Sequence, residues 1–327
     1  MWPRHAARAS PMLSVHSLGD GPRAAPVWLD LFEPNPEELA EVETMVGFAA
    51  PSRDDLSEIE RSSRLKVRDG VLSMSVPITT LTSGGEPQTA PVGFVLSRDR
   101  LVTIRFAALH AFDVVKDRFD AADARPASSL EVFVDLCDEI VDRLADGLEQ
   151  AAAELRDMSV ATFHAPDGEG RRPIRSGQAI RAQLRHVGRL GDRVSNARDA
   201  LLGMGRAVDF ACGLTDDWSE GHLQPRMKTL QQDVASLNDY EVHLSDKVQF
   251  LLDAMVGLIG IAQNDVFKIL TIVSIVGIPP TLVAGIYGMN FKGMPEYGWS
   301  WGYPYGLTVI VLSAIIPLVW FKWRGWF

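Results

Sequence analysis

Cysteine is scarce in this chain of 327 residues. Its two cysteines, Cys137 and Cys212, lie far apart, which excludes a disulfide framework and a zinc site with paired cysteine ligands. The sequence also lacks a Walker phosphate loop, a Gly-x-Gly-x-x-Gly motif and a Gly-x-Ser-x-Gly motif. The seven histidines are scattered. We therefore predict that the protein is not an enzyme and takes no organic small-molecule substrate.

Positive charge is scarce as well. The chain has 32 Lys and Arg against 42 Asp and Glu, a formal net charge of −10. Proteins that bind nucleic acid need a basic surface, so no nucleic-acid partner is expected. Residues 1–10 contain two arginines but lack the apolar core of roughly 7–15 residues that a signal peptide needs. The acidic part of the chain is therefore predicted to stay in the cytoplasm.

Charge almost disappears towards the C-terminus. Residues 266–327 contain four basic side chains and one acid, Glu296, so their net charge is +3 and the preceding residues carry −13. Two uncharged runs, Ile269–Tyr287 and Tyr297–Phe321, are each long enough for a helix to cross a hydrocarbon core of roughly 30 Å. The sequence predicts a hairpin of two transmembrane helices in a lipid bilayer. The basic residues after the second run favour cytoplasmic termini.

Short strand patterns and turn signals are typical of the N-terminal part. The alternation over 27–31 predicts a half-buried strand, and Asn35 predicts the start of a helix. Two hairpins are predicted around polar turns, over 64–76 with Asp69-Gly70 in its turn, and over 92–106. Pro77 is expected to end its strand or to lie at a sheet edge, because proline cannot donate a ladder hydrogen bond.

Helical patterns replace the strand signals from residue 128. They cover 128–161 and 176–208, separated by a loop at 164–173, and a turn is predicted over 212–221. After Pro225 a helical pattern continues into the first apolar run. As one helix, about 62 residues would measure roughly 93 Å. A helix of that length needs partners, because its stability comes mainly from packing an apolar face.

The expected fold class is an α+β cytoplasmic domain with an antiparallel or mixed sheet, followed by a very long stalk helix and a two-helix transmembrane hairpin. The predicted boundaries are an N-terminal tail, 1–12; an α/β domain, 13–125; a helical part, 126–223; the stalk helix, 224–265; the first transmembrane helix, 266–287; an extracytoplasmic loop, 288–304; the second transmembrane helix, 305–321; and a basic cytoplasmic C-terminus, 322–327.

Four polar residues share one face of the first predicted span, at separations of 7, 3 and 7 residues: Asn264, Thr271, Ser274 and Thr281. Polar side chains in a membrane helix are costly and usually face a partner or water, so the stripe indicates a water-lined path. Leu270 and Ile278 lie beside it as candidate constrictions. The alternative is that these side chains bond to their own helix backbone or pack a helix pair.

Helix-breaking residues interrupt the same span at Gly277, Pro279 and Pro280. Proline removes a backbone donor and bends a helix, which frees backbone carbonyls. Those carbonyls either face a pore or accompany a kink that serves only packing.

The loop between the spans is rich in Tyr and Trp, which is typical of an aromatic belt at a membrane interface. Asn290 differs from these residues. A neutral carboxamide at a pore mouth offers oxygen to a hydrated cation without the tight grip of a carboxylate, and Mg²⁺ releases its waters reluctantly. The alternative is that Asn290 only forms a turn.

At these residues the sequence resembles a known family. Tyr287-Gly288-Met289-Asn290 after the first span, and Met294-Pro295-Glu296 and Trp301-Gly302-Tyr303-Pro304 before the second, resemble the signature of the CorA magnesium channel family. The resemblance covers about residues 245–327. It is weaker upstream, at Trp28-Leu29-Asp30-Leu31, Ser62-Ser63-Arg64-Leu65 and Gly93-Phe94-Val95-Leu96.

The resemblance implies a funnel-shaped homopentamer in the bacterial inner membrane, with Gly288, Met289 and Asn290 as the selectivity filter. It implies passive influx of Mg²⁺, often with Co²⁺ and Ni²⁺ accepted, and closure when cytoplasmic Mg²⁺ binds between subunits. Mg²⁺ would then be both transported and regulatory. The chain departs from the family at Lys292, where many members have an acid, although Glu296 remains in the loop.

Three acids recur every seven residues on the predicted stalk helix: Asp239, Asp246 and Asp253. Seven residues are nearly two turns, so the acids share one face. Around a fivefold axis they would stack as rings of like charge, and divalent cations bound there would hold the stalks together. The alternative is a solvated acidic face.

Two rival functions stay open at this stage. One is zinc transport, by the zinc-transporting branch of the same superfamily, which shares the Gly-Met-Asn signature. The other is a membrane-anchored regulatory domain that does not conduct ions.

Overall fold

The computed structural model describes residues 13–17, 26–58, 60, 64–81, 87–120, 126–163, 177–218, 221–289 and 293–325. The predicted tail 1–12 and the predicted loop 164–173 lie outside these residues. Contacts divide the chain into two units. The first, which we call the sheet domain, contains residues 1–166 with 185–251, and the second contains residues 167–184 with 252–327.

The described residues form six strands and seven α-helices. The strands are β1 Leu13–Ser17, β2 Pro26–Phe32, β3 Leu65–Arg68, β4 Val71–Leu81, β5 Pro87–Leu96 and β6 Leu101–Arg105. The helices are α1 Pro36–Val46, α2 Arg53–Ser57, α3 His110–Asp120, α4 Ser129–Phe163, α5 Gly177–Leu214, α6 Leu223–Tyr287 and α7 Gly302–Trp323. Two 3₁₀ turns cover Asp216–Trp218 and Pro295–Gly298.

The strands form one mixed sheet in the order β1-β2-β6-β5-β4-β3. Neighbouring strands are antiparallel except β2 and β6, which are parallel. Asp69 and Gly70 close the β3–β4 hairpin with positive φ angles of 50° and 77°, as a two-residue primed turn requires. The expected α+β domain, long helix and apolar C-terminal helix are therefore all present.

Pro77 does not end its strand. It pairs with Pro91 inside the β4–β5 ladder, where neither residue has an N–H to donate. The pairing of β4 with β3 reaches only Met74, and the pairing of β5 with β6 begins at Val92. Pro77 therefore has no β3 residue beside it, and Pro91 has no β6 residue beside it. The expected position of Pro77 at a sheet edge is confirmed.

The sheet has a hydrophobic cluster on each face. Phe94 belongs to the cluster formed with the long helices, and Val95 belongs to the cluster formed with α1 and α2, because successive strand residues point to opposite faces. Phe133 on α4 packs edge-on against Phe94 with ring centroids 5.4 Å apart, and both side chains are fully buried. The two clusters therefore hold helices against both faces of the sheet.

A buried polar chain explains why the strand motif around Trp28 carries polar residues. Trp28 Nε1 donates to Thr103 Oγ1 at 3.0 Å, and Thr103 Oγ1 donates to Asp30 at 2.8 Å. Arg105 pairs with the same carboxylate at 2.9 Å and lies between the rings of Phe32 and Phe112. Each of these polar side chains therefore has a hydrogen-bond or ion-pair partner, as burial requires.

The helix ends follow the capping rules. Asn35 caps α1 and accepts a hydrogen bond from the Glu38 backbone N–H at 2.9 Å, while the Glu38 side chain accepts from the Asn35 backbone N–H. Gly47 closes α1 with a φ angle of 82°. One expected boundary is wrong, because α5 continues through Cys212 to Leu214, where a turn was predicted. Packing against the core stabilises the end of α5 around Cys212, and the helix propensity of these residues alone does not reveal that packing.

Helix α6 packs through a seven-residue pattern in its first half. Val234, Val248 and Met255 are buried at that spacing, and Leu244 and Leu251 are buried between them. Glycines on α5 allow close approach, since a Cβ at Gly191 would lie 3.3 Å from Val248 and one at Gly205 would lie 3.2 Å from Val234. The second half of α6 and all of α7 are long and apolar enough to cross a membrane.

Candidate functional site

The predicted polar stripe lies on the second half of α6. Thr271 and Ser274 are half-buried, and Asn264 and Thr281 are exposed on the single chain. The candidate constriction residues Leu270 and Ile278 are 60% and 63% exposed. A single chain therefore does not enclose a conduction path along this face of α6.

Two threonine hydroxyls of the stripe bond to their own helix. Thr271 Oγ1 donates to the Phe267 carbonyl at 2.8 Å, and Thr281 Oγ1 donates to the carbonyls of Gly277 and Ile278. These bonds satisfy the hydroxyl protons and leave the oxygen lone pairs as acceptors. Both threonine hydroxyls therefore bond to the backbone of their own helix, and their oxygen atoms can still accept hydrogen bonds from water.

Helix α6 continues through Pro279 and Pro280 to Tyr287. In an unbroken helix each N–H donates four residues back, so these two prolines leave the carbonyls of Ile275 and Val276 without their usual donors. Thr281, which follows the prolines, supplies its hydroxyl to the next carbonyl, that of Gly277. This part of the helix therefore presents free backbone oxygen close to the polar stripe.

Helix α6 ends at the predicted selectivity filter. The Gly288 N–H donates to the Ala284 carbonyl at 2.9 Å, and the Met289 N–H donates to the Ile286 carbonyl at 3.2 Å. Met289 is 46% exposed. Asn290 and Lys292 lie outside the described residues. The described part of the motif is thus a tight helix end directly before Asn290.

The loop before α7 is a chain of short turns. The Trp299 N–H donates to the Glu296 carbonyl at 3.2 Å, and the Gly302 N–H donates to the Trp299 carbonyl at 3.1 Å. A Cβ at Gly302 would collide with the Glu296 carbonyl, so this position requires glycine. The structural need for Gly302 accounts for one glycine of the family signature.

The three acids of the seven-residue series are exposed on α6. Asp239, Asp246 and Asp253 each lie two positions before a buried residue of the packing seam, which places them about 160° round the helix from it. They therefore face away from the packing seam of α6. Within the described residues, no group of three or more His, Cys, Asp or Glu side chains comes together to hold a metal.

A buried acid on the same helix was missed by the sequence reasoning. Glu241 occupies a seam position and is 1% exposed. Ser245 Oγ donates to its carboxylate at 2.6 Å, and Arg198 Nε lies 3.8 Å away with an exposed side chain. Burying a carboxylate is costly unless it is paired. An acid at an otherwise apolar position of the seven-residue pattern was the available signal.

Sequence reasoning also missed an ion-pair network in the sheet domain. Arg226 at the start of α6 bonds to Asp135 at 2.7 Å and to Asp138 at 2.6 Å, both on α4. Arg118 on α3 pairs with Asp135 at 3.4 Å and also bonds to Glu139. Burial raises the pKa of Asp138, and the Arg226 guanidinium opposes that shift. The network ties α3, α4 and α6 together.

Most of the chain matches one family of known proteins. Residues 23–323 match the family described as CorA-like Mg2+ transporter protein. The magnesium transport protein CorA of Escherichia coli is 30% identical over 300 residues, which are 92% of this chain and 92% of that protein.

Solved structures show the same fold. The CorA magnesium transporter of Methanocaldococcus jannaschii matches with a TM-score of 0.71 at 18% identity, over 92% of this chain and 91% of that one. The ZntB cytoplasmic domain of Vibrio parahaemolyticus matches with a TM-score of 0.56 at 10% identity, over 75% of this chain and 97% of that one. The match over most of the length, together with the apolar helices and the signature between them, establishes that the chain belongs to the CorA-like Mg²⁺ transporter family of membrane ion transporters.

Proposed function

We propose that the chain forms a homopentameric channel for passive Mg²⁺ influx across the bacterial inner membrane, with its termini in the cytoplasm. Family membership over residues 23–323 carries this proposal. The Gly-Met-Asn motif, which follows directly on the apolar half of α6, also supports it. The exposure of both apolar helices in a single chain supports it, because a bilayer and further copies would cover them. Co²⁺ and Ni²⁺ are further candidate ions.

In the proposed pore, Gly288, Met289 and Asn290 form the selectivity filter. The tight end of α6 supports this assignment, since it would present the next residue at the mouth. A ring of Asn290 carboxamides would accept hydrogen bonds from the waters of hydrated Mg²⁺, which the ion need not release. Glu296 and Lys292 belong to the same loop, where they would adjust the local charge with opposite signs.

Below the filter, the stripe of Asn264, Thr271, Ser274 and Thr281 would line the path. Its spare oxygen lone pairs, with the carbonyls freed before Pro279 and Pro280, would accept hydrogen bonds from the water around the ion. Rings of Leu270 and Ile278 would close the path by excluding water.

Ion uptake into proteoliposomes tests the proposal. We expect the parent chain to take up Mg²⁺ and Asn290→Ala to abolish that uptake while the oligomer still assembles. Asn196→Ala, on α5 of the sheet domain, is the matched control and should transport normally. Normal Mg²⁺ uptake by Asn290→Ala would refute the filter assignment. Absence of any divalent flux in the parent chain would instead favour a membrane-anchored regulatory domain.

Zinc is the second candidate ion because the sheet domain shares its fold with a ZntB cytoplasmic domain. That likeness concerns the fold alone. Met294-Pro295-Glu296 in the loop favours the magnesium branch. Uptake of Zn²⁺ in preference to Mg²⁺, with a requirement for a pH gradient, would select the zinc branch.

For gating, Asp239, Asp246 and Asp253 would sense cytoplasmic Mg²⁺. Their exposure on the face of α6 away from its packing seam supports this, because water reaches that face in a single chain. Carboxylates ~8 Å apart at an effective dielectric of ~20 repel by roughly 2 kcal/mol, which bound Mg²⁺ would offset. Loss of the ion would let the stalks separate and widen the Leu270 and Ile278 rings.

A charge-neutral variant tests this sensor. Asp253→Asn should weaken the Mg²⁺-dependent protection of α6 from protease and raise the Mg²⁺ concentration that closes the channel. Asp233→Asn, an exposed acid on α6 outside the series, should match the parent. Parent-like protection and closure in Asp253→Asn would mean that Asp253 is surface charge.

A further inference from the structure

A pocket of about 600 Å³ lies within the second unit, between the end of α6, the loop over 293–301 and the first half of α7. This volume lies in the range of roughly 300–1,000 Å³ that small-ligand sites occupy. Gly288 and Glu296 among its lining residues belong to the proposed filter and loop, but the pocket itself has no part in the proposed conduction of ions.

The pocket has an apolar floor and a polar rim. Ala284, Leu307 and Ile310 form the floor, and all three belong to the apolar helices. Glu296 and Tyr303 line the rim, at the level where the loop meets the helix ends. Tyr303 is 79% exposed. Such a gradient, apolar towards the bilayer and polar towards its surface, is the gradient of a membrane interface.

The rim is held in place by the short turns of the loop. The hydrogen bonds that link Glu296, Trp299 and Gly302 fix the backbone that carries the acid. The Trp299 ring packs edge-on against the Tyr305 ring, with centroids 5.8 Å apart. Glu296 is also the only acidic residue in the sequence from 266 to 327. The rim therefore presents one negative charge among aromatic rings.

The pocket adjoins the proposed filter on one side, because Gly288 also lines it. Tyr287, which lines it, lies six residues after Thr281 and thirteen after Ser274. At 100° per residue these separations place Tyr287 about 120° and about 140° round the helix from those two polar residues. The Tyr287 side of the pocket therefore lies away from the polar stripe, and a molecule there would sit beside the helix hairpin.

We propose that the pocket binds a phospholipid with an ammonium headgroup, phosphatidylethanolamine. One acyl chain lies on the floor of Ala284, Leu307 and Ile310, and the ammonium group lies against the Glu296 carboxylate. A carboxylate at the edge of the hydrocarbon is costly without a cationic partner, and aromatic rings around it attract an organic cation. Hydrated Mg²⁺ fits less well, because it prefers an oxygen-lined site to an apolar floor.

Lipid retention by the full-length chain tests the proposal. The protein is stripped of lipid in detergent, offered phosphatidylethanolamine and phosphatidylglycerol in equal amounts, and the bound lipids are counted by native mass spectrometry. We expect the parent to retain more of the ethanolamine lipid, and Glu296→Gln to lower that preference by about tenfold. Asp265→Asn carries the same change of charge at the other end of the apolar segment and should retain the parental preference.

A second variant tests the floor. Gly306 lines the pocket, and a Cβ there would meet nothing within 4 Å, so Gly306→Leu is chosen to add side-chain volume to the pocket. We expect it to lose the retained ethanolamine lipid while its elution volume and thermal unfolding match the parent. Gly306→Ala, with one added carbon atom, should retain an intermediate amount.

Three results would overturn the proposal. The first is equal retention of both lipids by the parent. The second is parental preference in a folded Glu296→Gln. The third is crosslinking of a cysteine placed at Tyr303 to a second chain together with no retained lipid, which would show that another copy fills the pocket. Because lipid retention is measured without ion flux, these results leave the proposed ion channel to be judged by its own uptake assay.

Discussion

The two units of this chain treat apolar side chains in opposite ways. In the sheet domain Trp28, Phe94 and Phe133 are fully buried by the chain itself. In the second unit Ile278 and Ile316 are each 63% exposed, although they belong to the most apolar helices of the molecule. The first unit is stabilised by its own core, whereas the second needs lipid or further copies to cover it.

Helix α6 contains both behaviours. Up to Met255 its buried residues follow a seven-residue seam, which is the pattern of a helix packed on one side. Beyond Met255 many of its large apolar residues are exposed, as for Val266, Leu270 and Val273, while Ile272 and Val276 are half-buried. This change from buried to exposed apolar side chains along one helix is expected where the helix passes from protein into a bilayer.

Truncation of a core ring should have the largest effect. Phe133→Ala removes a fully buried side chain that packs on Phe94, so we expect a loss of about 3–5 kcal/mol in the free energy of unfolding of the sheet domain. The matched truncation Ile316→Ala, on exposed α7, should leave that free energy unchanged. Urea unfolding followed by tryptophan fluorescence measures both. Equal losses would break the contrast between the units.

A charge on an exposed apolar position should distinguish bilayer from water. Ile316→Lys places an ammonium near the middle of α7, where insertion into a membrane costs about 2.5–3.5 kcal/mol. We expect a reduced fraction of inserted protein in a membrane-insertion assay. Val67→Lys, at an exposed position of edge strand β3, should insert normally, since edge strands tolerate lysine. Normal insertion of Ile316→Lys would show that α7 lies in water.

Much of the fold could be predicted because local rules act on it. The Asp69-Gly70 turn, the Asn35 cap and the long apolar runs need only neighbouring residues, and the structure contains all three. The strand through Pro77 was not predictable in the same way, because its tolerance depends on where β3 and β6 stop pairing. Tertiary pairing overrides the local preference there.

The candidate site was predicted less completely for a physical reason. A signature such as Gly288-Met289 is local in sequence, so it can be recognised without a structure. Glu241 and the Arg226 network depend on residues far apart in the chain, with Arg226 lying opposite Asp135 and Asp138 of another helix. A single sequence contains no direct signal of such contacts.

Cysteine labelling sharpens the contrast within the second unit itself. T271C, S274C and T281C lie on the polar stripe, whereas I272C and V276C lie off it. Thiols ionise in water but not in lipid, and the thiolate is the reactive form. We therefore expect cysteines on the stripe to react with a water-soluble reagent faster by on the order of tenfold, which corresponds to about 1.4 kcal/mol in activation free energy. Cys137 and Cys212 are replaced first. Labelling without helical periodicity would refute a water-lined face.

The smallest expected effect concerns a polar helix end in the sheet domain. Ser52 caps α2, where its hydroxyl accepts from the Asp55 N–H at 3.3 Å and donates to the Asp55 carboxylate at 2.6 Å. The side-chain and backbone hydrogen bonds from Ser52 lower the pKa of Asp55 below its ordinary value of 3.8. A carboxyl group with a lowered pKa contributes stability above its unfolded pKa and loses it as the pH falls through the folded pKa.

We therefore expect Ser52→Ala to cost about 0.5–1 kcal/mol of unfolding free energy at pH 7. Exposure to water keeps the effect at this low end, and the buried Leu56 side chain couples α2 to the core so that the loss is measurable. Ser57→Ala removes a hydroxyl that only bonds to the Arg53 carbonyl and should cost less. Urea unfolding at pH 7 and at pH 3 compares the variants. Because Asp55 protonates as the pH falls, the penalty of Ser52→Ala should shrink at pH 3, and a penalty that stays constant would mean that the hydroxyl acts on the backbone alone.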